Sequence, residues 1–145
     1  MGQLTFAPSD VVYLDTAPII YSVEKHADYL PLMKPLWLAS QNGEARIITS
    51  ELTLLETLVA PIKQNDSQLT AAYENLLTKS EVNSLAITSQ VLRRAAELRA
   101  QYNLKTPDAI HAATALINGC DLFITNDSAF NRVSGLRVEI LKDLL

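Results

Sequence analysis

Val11-Val12-Tyr13-Leu14-Asp15 is apolar on both faces, rich in β-branched and aromatic residues, and ends in a carboxylate. A run of this kind reads as a strand buried on both sides, the kind found in parallel sheets covered by helices. Thr16-Ala17-Pro18 follows directly. Proline suits the first position of a helix, where its missing N–H costs nothing, so a helix is predicted from Pro18 to Glu24. Asp15 therefore stands at the C-terminal end of a central strand, just ahead of a helix. In open α/β sheets that edge is where ligands bind.

The same alternation of strand and helix continues on the C-terminal side. Tyr29 to Gln41 reads as a helix closed by Asn42-Gly43, and Arg46 to Thr49 as a strand. Leu52 to Ile62 and Gln68 to Lys79 have helical apolar spacing, the second opened by Asn65-Asp66-Ser67. Val82 to Ile87 is a third strand. Thr88-Ser89 caps a helix from Gln90 to Tyr102 whose Arg93, Arg94 and Glu97 face water. Thr106-Pro107, an N-cap followed by proline, starts a nearly all-apolar helix over Asp108 to Ile117. Asp121 to Thr125 is a fourth strand and Arg137 to Leu141 a last one, while Met1 to Asp10 reads as a short leader. Strands alternating with helices predict an α/β three-layer sandwich, a central parallel sheet of about five strands flanked by helices.

The chain has 145 residues, 48% hydrophobic and 19% charged, a globular composition that predicts one domain over residues 1–145. No apolar run is long enough to cross a membrane, and no basic residue precedes an apolar stretch as in a signal peptide. Cys120 is the single cysteine, so no internal disulfide forms, which fits a reducing cytoplasm. The net charge is −4, from 16 acids against 12 Lys plus Arg. A protein holding nucleic acid by phosphate neutralisation alone would be basic, so either nucleic acid is not the ligand or cations mediate the contact.

Four acids stand out, and each has an ordinary role beside the interesting one. Asp15 and Asp127 follow strands, where Asp is favoured as a turn or cap residue. Glu56, in Thr53-Leu54-Leu55-Glu56, could complete a capping box, yet Leu54, Leu55, Leu58 and Val59 surround it. Glu51 is its rival, five residues earlier and on a different side of the helix. Asp108 in a first helical turn gains up to about 1 kcal/mol from the helix dipole, but its helix is otherwise apolar. His111, one turn on, is a supporting candidate. Asp121 begins a strand and belongs at the opposite edge. Jointly, Asp15, Glu56, Asp108 and Asp127 fall at one edge of a parallel sheet, where they would repel each other without cations. Oxygen-rich clusters suit Mg²⁺ or Mn²⁺, and such a site suits phosphodiester hydrolysis by metal-activated water. Lys63, Arg93, Arg94 and Lys105 are candidates for a basic rim that holds the strand, although a solvated helix face explains any one of them.

Four pieces in order carry a resemblance: Tyr13-Leu14-Asp15-Thr16; Thr49-Ser50 with Glu56; Leu104-Lys105-Thr106-Pro107-Asp108-Ala109-Ile110-His111-Ala112-Ala113; and Phe123-Ile124-Thr125-Asn126-Asp127 with Phe130. The pattern resembles a PIN domain, close in size to toxin nucleases of the VapC type. The resemblance implies a five-stranded parallel sheet and a Mg²⁺- or Mn²⁺-dependent endoribonuclease acting on RNA. Asp15, Glu56, Asp108 and Asp127 match the family's acidic quartet, and Thr16, Thr125 and Asn126 the small polar positions beside it. It further implies a toxin paired with an antitoxin protein, and a homodimer. The alternative is a PIN-fold module that binds a protein or RNA without cutting. An aspartyl phosphatase using Asp15 fits less well, since such enzymes carry a second Asp two residues later, where this chain has Ala17.

Overall fold

The computed structural model describes residues 2–145; Met1 lies outside the described residues. Among the described residues, β1 (Asp10–Leu14), β2 (Ala45–Ser50), β3 (Asn83–Leu85), β4 (Leu122–Thr125) and β5 (Val138–Ile140) form one sheet. The order is β3-β2-β1-β4-β5, and every neighbouring pair is parallel. Six helices join them: α1 (Thr16–Val23), α2 (Leu30–Gln41), α3 (Leu52–Lys63), α4 (Ser67–Lys79), α5 (Ser89–Tyr102) and α6 (Thr106–Ile117).

Strand alternation sorts the apolar side chains into two cores. Val12, Leu14, Ile47 and Ile124 face one side, where Ile19 of α1, Met33 and Leu36 of α2, and Tyr73 and Leu77 of α4 cover them. Tyr13, Ile48 and Phe123 face the other, under Val91, Ala95 and Leu98 of α5 and the alanine-rich face of α6. This is the expected three-layer sandwich. The alanines let α6 lie close to the sheet, which brings its N-terminus, and Asp108, to the strand ends.

The expected helix stops are present. Gly43 (φ +74°) and Gly119 (φ +62°) adopt the left-handed conformation that ends α2 and α6. The Asp66 and Thr88 side chains accept from the Leu69 and Val91 amides, capping α4 and α5. Several boundaries differ. Helix α1 starts at Thr16, not Pro18, because the Asp15 side chain itself accepts from the Thr16 amide. Lys105, not Thr106, occupies the N-cap of α6 and makes no side-chain cap bond. Strands β3 and β5 are three residues each, and Leu141 instead opens a final 3-10 turn. The N-terminal stretch is more than a leader. Leu4 is buried in the first core, the Gly2 amide donates to the Leu144 carbonyl (2.8 Å), and Asp10 already belongs to β1.

From β1 the chain steps outward to β2 and β3, then crosses back over to β4 and β5 on the other side. The order therefore reverses between β1 and β4, and a crevice opens there at the carboxyl ends of the strands. Phe123 on β4 fills the space beneath this crevice. It stacks on Tyr13 (centroids 4.9 Å apart, planes 2° apart) and packs against Phe130 (4.6 Å). Truncating it to alanine should cost about 3–5 kcal/mol in urea unfolding, while Leu92→Ala on the exposed side of α5 should stay within about 0.5 kcal/mol. Equal costs for the two would contradict this account of the core.

Candidate active site

A basin of about 450 Å³ opens at the crevice, and Asp15, Glu56, Asp108 and Asp127 all line it, with Thr16, His111 and Asn126. Each acid comes from a different element. Asp15 follows β1 and Asp127 follows β4 across the point where strand order reverses. Glu56 lies one turn into α3 and Asp108 in the first turn of α6. Glu51 is exposed at the start of α3 and lines a separate hollow with Leu54, Leu77 and Asn83. Asp121 sits at the opposite sheet edge, where it accepts from the Val11 amide (2.8 Å).

The ordinary roles hold for two of the acids without exhausting them. Asp15 Oδ1 accepts from the Thr16 amide (2.8 Å), and its Oδ2 accepts from the Thr125 hydroxyl (2.7 Å). Asp127 Oδ1 accepts from the Ala129 amide and caps the 3-10 turn Ser128–Arg132. Glu56 makes no capping box, because α3 begins at Leu52 and Thr53 is already helical. Instead Glu56 Oε1 accepts from the Thr16 hydroxyl (2.8 Å) and from His111 Nε2 (2.8 Å).

His111 is buried with 1% of its surface exposed, and the Tyr13 hydroxyl lies 2.6 Å from its Nδ1. Burial, then the Asp15 charge, pushes the Tyr13 phenol well above its usual range. It keeps its proton and donates it to Nδ1, so we assign the imidazole proton to Nε2, where it is donated to Glu56. A second line of hydroxyls lies behind Thr16. Thr53 and Thr49 are 2.8 Å apart, and Thr49 donates to the Leu14 carbonyl (2.8 Å). Thr16, Thr125 and His111 thus form a fixed set of donors aimed at Asp15 and Glu56, with Thr53 and Thr49 behind Thr16.

The acids are not electrostatically alike. Partial burial pushes the Glu56 carboxyl up, but the hydrogen bonds from His111 and Thr16 outweigh it and leave it below the ordinary carboxylate range. Asp108 is raised, first by partial burial and then by the charges of Asp127 and Asp15, with His111 and Lys105 opposing only in part. Burial first, and then like charges, set it apart from Glu56. The basin therefore concentrates negative charge that its own donors do not fully compensate. Hard oxygen donors without thiolates suit Mg²⁺ or Mn²⁺. Among the described residues no three His, Cys, Asp or Glu side chains form a ready-made metal cage.

The proposed basic rim divides. Lys105 borders a second hollow of about 360 Å³ that shares Asp108 and Asp127 with the basin and also contains Arg132. Arg93, Arg94 and Lys63 line neither hollow. Arg94 lies 3.6 Å from Glu97 on α5, and Lys63 ends α3 about two turns beyond Glu56. Arg132, Tyr13 and Tyr21 escaped the sequence reading. Tyr13 lay inside a quoted motif, but its hydroxyl's partner is 98 residues away. Tyr21 lines the basin and accepts from the Asn126 side-chain amide (3.2 Å).

A parallel α/β sheet whose strand order reverses at an acidic basin puts that basin where ligands bind in open α/β folds. Residues 12–136 match the PIN domain, and the chain belongs to that family. No curated protein matches it. Its fold is similar to the VapBC2 complex of Rickettsia felis bound to a promoter DNA fragment, at a TM-score of 0.70 and 19% identity over 90% of this chain and 98% of that one. It is also similar to a toxin–antitoxin complex from Klebsiella pneumoniae (0.62, 25%, 90% and 97%). A third similar structure is Mycobacterium tuberculosis VapC20, described as a Sarcin-Ricin loop cleaving toxin (0.69, 17%, 86% and 95%).

Two outcomes are expected. Tyr13→Phe leaves buried Nδ1 of His111 without its donor and should cost roughly 1–3 kcal/mol in denaturant unfolding; an unchanged midpoint would show that the bond is idle. Asp108→Asn should stabilise the fold in metal-free buffer at neutral pH. A carboxyl raised on folding favours the folded state below its unfolded pKa, and that benefit disappears as pH rises through the folded value. The gain from Asn should therefore shrink as pH falls through the carboxylate range. Melting curves showing Asp108→Asn to be the less stable protein at neutral pH would refute this.

Proposed function

We propose that the chain is a metal-dependent endoribonuclease acting as the toxin of a toxin–antitoxin pair. The observation that carries the proposal is the meeting of Asp15, Glu56, Asp108 and Asp127 in one open basin at the carboxyl edge of the sheet. Asp15, Glu56 and Asp108 would hold a Mg²⁺ or Mn²⁺ ion, with Asp127 beside them. Such an ion supplies charge neutralisation on the phosphate and activation of the attacking water.

The chain's own side chains prepare this site. Thr125 and the Thr16 amide fix both oxygens of Asp15. Thr16 and His111 both bond Oε1 of Glu56, which keeps the carboxylate ionised and leaves Oε2 for a ligand. Asp108, raised by burial and by the charges of Asp127 and Asp15, would be relieved by a cation. Lys105 and Arg132 stand in the adjoining hollow, where a neighbouring phosphate of the strand can be paired without crossing the acids. This arrangement reconciles a net charge of −4 with a polyanionic substrate. No Ser or Cys nucleophile is required.

The toxin role rests on the company the fold keeps: the similar structures include a toxin–antitoxin complex and a toxin named for cleaving the Sarcin-Ricin loop. An antitoxin protein would be the natural partner. For the homodimer, exposed Leu55, Val59 and Ile62 recur along one side of α3 and offer an apolar contact surface. Among the described residues no helix is long and apolar enough to cross a membrane.

The test is cleavage of a pool of structured RNAs in Mg²⁺, Mn²⁺ or EDTA. Wild type should cut only with metal, and Asp15→Asn should lose activity by a factor of at least about 100, as for removal of a charged group from a preorganised site. Mn²⁺ at 100 times its Kd should also stabilise wild type by about 2.7 kcal/mol, and at the same concentration Asp15→Asn, which keeps the other three acids, by less. Metal-dependent cleavage that survives Asp15→Asn would remove the proposal. A metal-stabilised protein that cuts no RNA would point to the binding-module reading.

A further inference from the structure

An aromatic cluster borders the basin and has no part in the acid chemistry. Tyr21, on the last turn of α1, lines the basin. Tyr29 stacks on it, with centroids 4.5 Å apart and planes 29° apart. Exposed His26 meets Tyr21 at 5.1 Å in an edge-on arrangement and Tyr29 at 4.6 Å. Three of the chain's seven Tyr and His rings, five Tyr and two His in all, thus gather within nine residues of sequence, with Tyr21 at the basin wall.

Local geometry accounts for part of this. Lys25 adopts the left-handed conformation (φ 56°), and the His26 amide donates to the Tyr21 carbonyl (2.8 Å). That is a Schellman end to α1, which brings the side chains of these two residues together. Tyr21 and Tyr29 also pack partly on the first core. Neither fact calls for an aromatic ring at the basin wall, since leucine would serve the packing. The far end of Tyr21 is held as well. Its hydroxyl accepts from Asn126 Nδ2 (3.2 Å), and Asn126 Oδ1 accepts from the Lys142 amide (2.9 Å). The ring is therefore braced at both ends before any ligand arrives.

Resting on the nuclease reading, we propose that Tyr21, backed by Tyr29 and His26, is a stacking ledge for one unpaired nucleobase of the RNA strand. The base next to the phosphate held over the acids would lie against this wall, while the strand's neighbouring phosphate lies on the other side, by Lys105 and Arg132. A base can stack only if it is out of a duplex, so the ledge restricts the substrate to single-stranded or looped RNA. Every base presents a π-face, so the ledge selects for unpairing more than for sequence. A protein segment bearing an aromatic residue is the competing occupant, and the test separates the two.

The probe is a short single-stranded RNA carrying 2-aminopurine at successive positions, with the matching duplex as comparison. It is titrated with the full chain bearing Asp15→Asn, in Mg²⁺. One labelled position should lose fluorescence on binding, and the duplex should bind more weakly. Tyr21→Leu and His26→Ala, each added to Asp15→Asn, should weaken single-strand binding, Tyr21→Leu by about tenfold, and relieve the quenching. Tyr21→Phe should preserve both, which a role confined to the hydroxyl would not. His26 is exposed, so its variant remains informative if Tyr21→Leu does not fold. Position-independent fluorescence, equal affinity for duplex, or unchanged binding by His26→Ala and Tyr21→Leu would each overturn the ledge. Such results would leave metal-dependent cleavage by wild type untouched. Conversely, a quenched and Tyr21-dependent complex in a protein that never cuts RNA would retain the ledge and remove the nuclease.

Discussion

The Tyr13–His111–Glu56 line of hydrogen bonds ties the acidic edge to the apolar interior. It links β1, α6 and α3, whose members stand at positions 13, 111 and 56. Tyr13 is also part of the second core, clamped by Phe123. The position of a half-exposed carboxylate is therefore set by packing beneath the sheet. A buried imidazole without partners on both nitrogens would be costly, and here both are used. Any slip of α6 along the sheet would break one of them, so the line fixes helix register as well as side-chain orientation.

The polar seam is thin relative to what supports it. Thr49, Thr53, Thr16, Thr125 and His111 are all buried, yet each has a partner, and among the described residues no buried side-chain polar atom lacks one. The threonines matter because a hydroxyl both donates and accepts. Thr49 can take the Thr53 proton while giving its own to the Leu14 carbonyl, and Thr16 can give its proton to Glu56. Valine would fill the same volumes and leave the acids unsupported. The carboxylates then bear a repulsion that the protein itself compensates unevenly, least at Asp108.

How much of this could be read from the sequence follows the range of each interaction. The β1 run, the stops at Gly43 and Gly119 and the caps at Asp66 and Thr88 are decided within a few residues, and the chain shows them openly. Convergence of the acids was legible one step further out, because parallel topology sends every strand's C-terminus to the same edge. Glu56 was separable from Glu51 by its family spacing rather than by local chemistry. The role of His111 was not legible in detail, since its partners lie 55 and 98 residues away. Leu4 looked like part of a leader because nothing near it signals the core it reaches. Thr106 misled by one position: Thr-Pro is a strong start signal, but here Thr106 is already inside the helix.

Charge follows the same division between local and assembled properties. Composition alone leaves two options, a ligand other than nucleic acid or a contact mediated by cations, because −4 is the wrong sign for binding by phosphate neutralisation alone. The assembled site changes what that number means. Four of the 16 acids meet at one basin, and Lys105 and Arg132 stand beside it. On the proposed nuclease reading a polyanion would be held at few points: over the acids through cations, beside them through two basic side chains, and by stacking, which net charge barely affects. Affinity built this way depends on where the strand's phosphates and bases fall, not on how many it has. On that reading, weak general attraction for polyanions leaves discrimination to the register of the strand, so the net charge is compatible with selectivity rather than an objection to it.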